Sequence, residues 1–268
     1  MSKIPLQCIP SIIRGDTGMR CLKWAGSVLC FLCLLMLAGC ASSTDPADVY
    51  KGETSEQIFA KGEDALRHKH YKEAIKRLEA LDVQYPYSKH SELAQLHIIY
   101  AYYMNEDYAL AQSAAERYIH AWPANAHAAY AYYLRALSYY HQNLGVFERV
   151  FPIDLSRRDL ATFRQAWTDF STVVHEFPDS EYAPAARQYM IYLRNMMAQH
   201  ELNVATFYYN RHAYVTAVNR ATGVIRDYQG APAVKPALEL LVNCYHALHA
   251  TDSEKEVRRI IQYNYSKK

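Results

Sequence analysis

Cys244, His246 and His249 are the tightest group of residues in this sequence whose types suit metal binding or proton transfer. His246 and His249 are three apart and could touch on a helix, with Cys244 near them. No carboxylate completes a zinc set there, and no His-Glu-x-x-His occurs. His68 and His70 are two apart, which on a helix puts them on different sides. The twelve histidines therefore read as scattered helix-face residues rather than ligands or acid–base groups. After residue 39 there is no glycine-rich phosphate loop, no nucleophile elbow and no Cys-x-x-Cys. Lys255, Arg258, Arg259, Lys267 and Lys268 form a basic C-terminus, read as a solvated face that complements a helix dipole. These residues predict no catalytic site, no metal and no cofactor.

The chemistry that remains belongs to Cys40. Lys3, Arg14, Arg20 and Lys23 precede an apolar run from Trp24 to Leu37, which ends in Leu37-Ala38-Gly39-Cys40. The run of about 14 residues is shorter than the ~20 needed to span a bilayer, so it reads as a secretory signal. A shorter signal beginning at Met19 would have ordinary proportions. Leu-Ala-Gly-Cys is similar to the lipobox of bacterial lipoproteins, in which the thiol receives a diacylglycerol, the chain is cut before it, and the new amino group is acylated. A multiply acylated cysteine anchors firmly where one chain would not. Ala41 in place of aspartate implies, by the same resemblance, transfer to the outer membrane. Cys8, Cys21, Cys30 and Cys33 would leave with the signal, so only Cys244 remains beside the lipidated residue and no internal disulfide is expected.

Removing residues 1–39 takes four basic and one acidic residue from totals of 29 and 27, leaving 25 against 26. A net charge near −1 gives nucleic-acid binding no support. With 24 tyrosines and 9 glycines, a turn-rich β-architecture is disfavoured. The expected organisation is a signal over 1–39, a lipidated cysteine and flexible tether over 40–55, and a helical domain over 56–268. Fully extended, residues 41–55 would reach roughly 50 Å.

The helical domain repeats. Tyr71-Lys-Glu-Ala74, Tyr108-Ala-Leu-Ala111, Phe163-Arg-Gln-Ala166 and Tyr214-Val-Thr-Ala217 are each followed twelve residues later by Pro86, Pro123, Pro178 and Gln229. Eight residues further stand Ala94, Ala131, Ala186 and Ala237. A small residue lets the second helix of a pair cross the first closely, the aromatic fills the space beside it, and proline ends the second helix. Ser88, Asn125 and Ser180 would cap the next helices. Gly62 and Ala205 stand twelve residues before Ala74 and Ala217. This resembles the tetratricopeptide repeat and predicts an all-α solenoid of about five helix–turn–helix units. The last, near Val234 to Tyr265, is the least regular, as a terminal unit facing water can be. Some tyrosines should line the concave face. The third unit carries an insert over about 143–159, with Phe147, Phe151 and Ile153, and Asp159 placed to cap the following helix. It reads equally as a partner-binding loop or as a loop folding onto its own repeat.

Longer strings narrow the resemblance. Ala74-Ile-Lys-Arg-Leu-Glu-Ala-Leu-Asp82 with Tyr85-Pro86, Ile99-Tyr-Ala-Tyr-Tyr103, Phe151-Pro-Ile-Asp154 with Arg157-Arg-Asp159, and Ala217-Val-Asn-Arg220 with Arg226-Asp-Tyr228 occur in order. Together they resemble the BamD family, lipoproteins of the β-barrel assembly machinery on the periplasmic face of the outer membrane. That resemblance implies amino-terminal repeats that receive unfolded outer-membrane proteins. It also implies carboxy-terminal repeats that hold the POTRA region of BamA and the smaller lipoproteins of the complex. The family's POTRA-pairing arginine falls on Arg220, and its substrate-facing tyrosine on Tyr85. An arginine expected after the first repeat's aromatic is Lys72, a charge without the planar fork. Tyr100 and Tyr103 complete the expected substrate groove. Two other classes remain as alternatives. A tetratricopeptide adaptor for peptidoglycan enzymes would bind hydrolases and not BamA, and a periplasmic enzyme would need a constellation that is missing.

Overall fold

The computed structural model describes residues 50–142, 144, 154–157 and 159–265. Cys40, the signal, most of the tether and the insert's phenylalanines lie outside the described residues. Ten α-helices follow one another among those described. They are α1 (Ser55–Arg67), α2 (Tyr71–Gln84), α3 (Ser91–Met104), α4 (Tyr108–Ala121), α5 (Ala128–Gln142), α6 (Ala161–Glu176), α7 (Ala183–Asn210), α8 (Tyr214–Asp227), α9 (Val234–Ala247) and α10 (Thr251–Tyr265). Each packs on the next in the chain, and α1 touches α3, α3 touches α5, and α7 touches α9. That is the stacking of five hairpins into a tetratricopeptide-like array, all-α as the repeat requires.

The eight in-phase alanines are all fully buried, so the small side chains sit where helices cross. The turn inside the first, second, fourth and fifth hairpins is a Schellman motif. In the first unit Lys69 N–H donates to Leu66 O (3.0 Å) and His70 N–H to Ala65 O (2.8 Å). Lys69 is left-handed at φ 60°, and Glu106, His212 and His249 repeat that conformation in units two, four and five. His68 and His70, expected on opposite sides of a helix, lie past its end, where their rings stack at 6.1 Å.

Each second helix of the first four units ends on an aromatic residue in one shared conformation: Tyr85, Trp122, Phe177 and Tyr228, with φ between −125° and −133°. The proline after the first three cannot donate a backbone hydrogen bond, so the helix stops there. The residues expected to cap the next helices do something else. Helix α3 begins at Ser91, and Ser88 Oγ instead accepts from His90 N–H at 3.2 Å. Asn125 Oδ1 likewise accepts from His127 N–H at 2.9 Å, and Ser180 Oγ is buried without a hydrogen-bond partner. Ser88 and Asn125 thus shape the turn ahead of the helix rather than capping it. Asp159 does reach the helix that follows, accepting from Ala161 N–H at 3.1 Å.

Two features depart from the regular array. Helix α7 runs 28 residues, twice the usual length, and both hydrophobic cores use it. One core ends at Met197 and the other begins at Ala198. The end of the insert packs on α7, where His200 Nδ1–H donates to Ser156 O (2.6 Å) and Asn203 Nδ2–H to Ser156 Oγ (2.9 Å). The insert therefore reaches the fourth unit as well as its own. The fifth unit departs from the register at two positions, with Thr251 in place of the aromatic that stands three residues before the alanine in the others. Five residues after each left-handed turn residue stands Ala74, Ala111 or Ala217, but after His249 it is Glu254, held by His246 Nδ1 (3.2 Å) and Arg258 (2.7 Å).

Candidate protein-binding site

No group of His, Cys, Asp and Glu able to hold a metal occurs among the described residues. Cys244 is buried, and burial pushes its thiol pKa up, away from the reactive thiolate. What the array offers is a series of clefts between hairpins.

A cleft of about 370 Å³ is lined by Glu63, Leu66 and Arg67 of α1, His97 and Tyr100 of α3, and Tyr130 of α5. Helical spacing puts Glu63 with Leu66 and Arg67, and His97 with Tyr100, on one face each. Tyr100 meets Tyr71 edge-on at 6.4 Å. Burial raises the phenol pKa values of Tyr100 and Tyr130, so both stay neutral donors. Burial also lowers that of His97, which stacks on Phe59 and keeps a neutral ring. The wall is thus largely aromatic, and Glu63 and Arg67 add one charge of each sign to the lining. It suits an apolar or aromatic side chain with a polar backbone beside it.

Tyr103 lies in a different cleft, of about 570 Å³, with Tyr108, Tyr140, His141 and Tyr189. Its hydroxyl is 3.2 Å from His141 Nδ1. Lys72 is exposed on the first turn of α2. Tyr85 stands at the other end of that helix, 36% exposed, and donates to Glu53 O at 2.8 Å. The structure therefore joins Tyr100 to one cleft and Tyr103 to another, and sets Tyr85 and Lys72 at opposite ends of α2. Sequence reading passed over His97 and Tyr130. Their signal was available: His97 shares the face of Tyr100, and Tyr130 opens the first helix of the next unit.

Arg220 sits on α8, three residues past the buried Ala217, in a cleft of about 330 Å³ with Glu201, Asn219, Gly223, Arg226, Asp227 and Tyr228. Its Nη1 reaches Glu201 Oε2 of α7 at 3.3 Å, and the side chain is 50% exposed. The internal partner thus comes from the other helix of its own hairpin. Arg226 is the more satisfied neighbour, clamped by Asp227 through Nε (2.7 Å) and Nη2 (2.8 Å). Hydrogen bonding to Arg226 holds the Asp227 carboxyl below its ordinary pKa. Arg220, with one long contact, keeps most of its fork available to a further carboxylate.

Comparison with known proteins agrees in extent with this array. A family profile described as YfiO, outer membrane lipoprotein, matches residues 51–260. The outer membrane protein assembly factor BamD of Vibrio cholerae is 33% identical over 233 residues, covering 87% of this chain and 95% of that protein. The protein of the same name from Neisseria gonorrhoeae is 31% identical over 236 residues, covering 87% and 88%. That of Xylella fastidiosa strain Temecula1 is 32% identical over 230 residues, covering 86% and 78%. The chain belongs to the BamD family of outer-membrane lipoproteins.

Proposed function

We propose that this chain is the lipid-anchored scaffold of a β-barrel assembly machine on the periplasmic face of the outer membrane. Its lipid would sit on Cys40, following Leu37-Ala38-Gly39. Its amino-terminal clefts would receive unfolded outer-membrane proteins, with Tyr85, Lys72, Tyr100 and Tyr103 as contacts. Its carboxy-terminal units would hold the POTRA region of BamA through Arg220, and the smaller lipoproteins of that complex. The work is binding and presentation, without catalysis or cofactor.

The observation that carries the docking part is the half-exposed Arg220, whose ion pair among the described residues is the 3.3 Å contact to Glu201. A guanidinium can take a carboxylate with two parallel hydrogen bonds, and removing one partner of such a pair in a desolvated interface costs ~3–5 kcal/mol. Arg220→Glu should fold with unchanged helicity, stay with the membrane, and lose co-purification with the barrel subunit by two or more orders of magnitude in affinity. A compensating charge reversal on the acidic partner should restore part of it. Full association of Arg220→Glu would remove this contact from the proposal. Cys40→Ala should leave a chain that no longer sediments with outer membranes.

A further inference from the structure

The residues just before α1 are bound to both helices of the first hairpin. Tyr50 lies under the Arg77 guanidinium, 4.5 Å from the ring centre, and its hydroxyl reaches Glu73 Oε1 at 3.4 Å. Glu53 N–H donates to Tyr50 O at 3.1 Å, closing a turn through Gly52, whose φ of +94° suits glycine. Glu53 is the centre of the arrangement. Its carboxylate takes Lys61 of α1 at 2.9 Å and faces Arg77 of α2 at 3.8 Å. Its backbone carbonyl takes the Tyr85 hydroxyl at 2.8 Å. Thr54 then exchanges two hydrogen bonds with Gln57 in a capping box that starts α1.

We propose that residues 50–54 are a latch that fastens the N-terminal leader to the first hairpin, so that the stretch between Cys40 and the first fastened residue ends at Tyr50. Arg77 of α2, Tyr85 just past the end of that helix and Lys61 of α1 are its receiving groups. The ten residues from Cys40 to Tyr50 span at most ~35 Å when extended, against roughly 50 Å for a tether running to α1. With the lipid on Cys40, as the proposed function has it, the latch keeps the first hairpin and its aromatic cleft within that shorter distance of the membrane. The latch itself stands without the lipid; only the reach depends on it.

Hydrogen exchange on the full-length acylated protein in phosphatidylethanolamine–phosphatidylglycerol nanodiscs tests both parts. The peptide containing Glu53 should exchange at least ~10-fold more slowly than an unstructured chain. That protection should disappear in Tyr50→Ala and in Arg77→Met, while α3 to α10 exchange as before. Should Arg77→Met also open α1 and α2, Tyr50→Ala decides the matter, because Tyr50 is outside the hairpin. An unprotected wild-type segment, or protection untouched by Tyr50→Ala, overturns the latch. A fluorophore on Lys76, read against quencher lipids, should be quenched less in Tyr50→Ala; equal quenching overturns the shortened reach. Failure of the wild type to remain on the disc would overturn the anchor and the reach together, with the exchange result still deciding the latch.

Discussion

Arg135 and Asp169 are joined by two hydrogen bonds, Nε to Oδ2 at 2.8 Å and Nη2 to Oδ1 at 2.7 Å, across the hairpin that the insert interrupts. Arg135 Nη1 also donates to Glu116 of α4, and its guanidinium lies 5.2 Å from the centre of the Tyr132 ring. One side chain thus ties α4, α5 and α6 together. Asp169 is 7% exposed, and burial raises its carboxyl pKa while Arg135 pulls it back.

Arg135→Ala should therefore cost ~3–5 kcal/mol, because it leaves a buried carboxylate unpaired. The loss has a defined pH dependence. Without Arg135, the folded pKa of Asp169 moves further above its unfolded value near ~3.9, so the folded state holds that proton more tightly. Stability contributed by protonation is present below the unfolded pKa and lost as pH rises through the folded one. Urea unfolding at pH 5 and pH 7.5 should show the smaller penalty at pH 5, and equal penalties would refute the assignment.

Gly62 of α1 faces Leu78 of α2 at a distance that leaves no room for a methyl group. A Cβ there would lie 2.8 Å from Leu78 Cδ2 and 3.0 Å from Cγ. Leu78 is fully buried, so moving its side chain aside disturbs the packing around it. Overpacking costs ~1–3 kcal/mol, which exceeds the helix-propensity gain of ~1 kcal/mol from glycine to alanine. Gly62→Ala should lower the thermal midpoint, although the equivalent position in the fourth unit is the buried Ala205. A raised midpoint would mean that the first hairpin opens to accept the methyl.

Lys69 is exposed and left-handed at φ 60°, a conformation that costs a residue with a Cβ ~1–2 kcal/mol. Glycine avoids that strain but gives up ~0.5–1 kcal/mol of chain entropy. Lys69→Gly should therefore stabilise the protein by up to ~1 kcal/mol, read as a higher urea midpoint with an unchanged slope. A lower midpoint would show that the lysine side chain contributes more than its backbone costs.

The parts of this fold that could be read from the chain are those where one residue type answers one steric demand. Buried alanines at the crossings and prolines behind the second helices are of that kind; the alanines gave the register of four units and the prolines that of three. The left-handed turns were not legible, because Lys69, Glu106, His212 and His249 share a backbone conformation and no chemistry. The aromatic closing each second helix was visible as Tyr85-Pro86, Trp122-Pro123 and Phe177-Pro178, yet only Tyr85 attracted notice. Its fourfold recurrence means that this residue ends a helix as well as offering a surface. The caps were misplaced because Ser88, Asn125 and Ser180 suit a turn as readily as a helix start. The fifth unit's irregularity comes from Thr251 in the aromatic slot and Glu254 in the alanine slot, the latter a carboxylate held by His246 and Arg258. In the candidate site, Arg220 was named by the resemblance of its local string, Ala217-Val-Asn-Arg220, whereas the cleft around Tyr100 needed three helices brought together in space.

Helix α7 gives the molecule a mechanical character that hairpin stacking alone would not. At ~1.5 Å per residue its 28 residues make a rod of roughly 42 Å. Ala186 and Leu193 are embedded in one core, and Ala198, Leu202 and Ala205 in the other. A helix resists twisting through its whole hydrogen-bond ladder, so rotation at its first turns must emerge at its last. Strain introduced where Tyr182 and Tyr189 meet the third unit would be delivered, without a joint to absorb it, to the hairpin that carries Glu201 and Arg220. Between the two ends the shaft also carries the Ser156 segment, seated on His200 and Asn203.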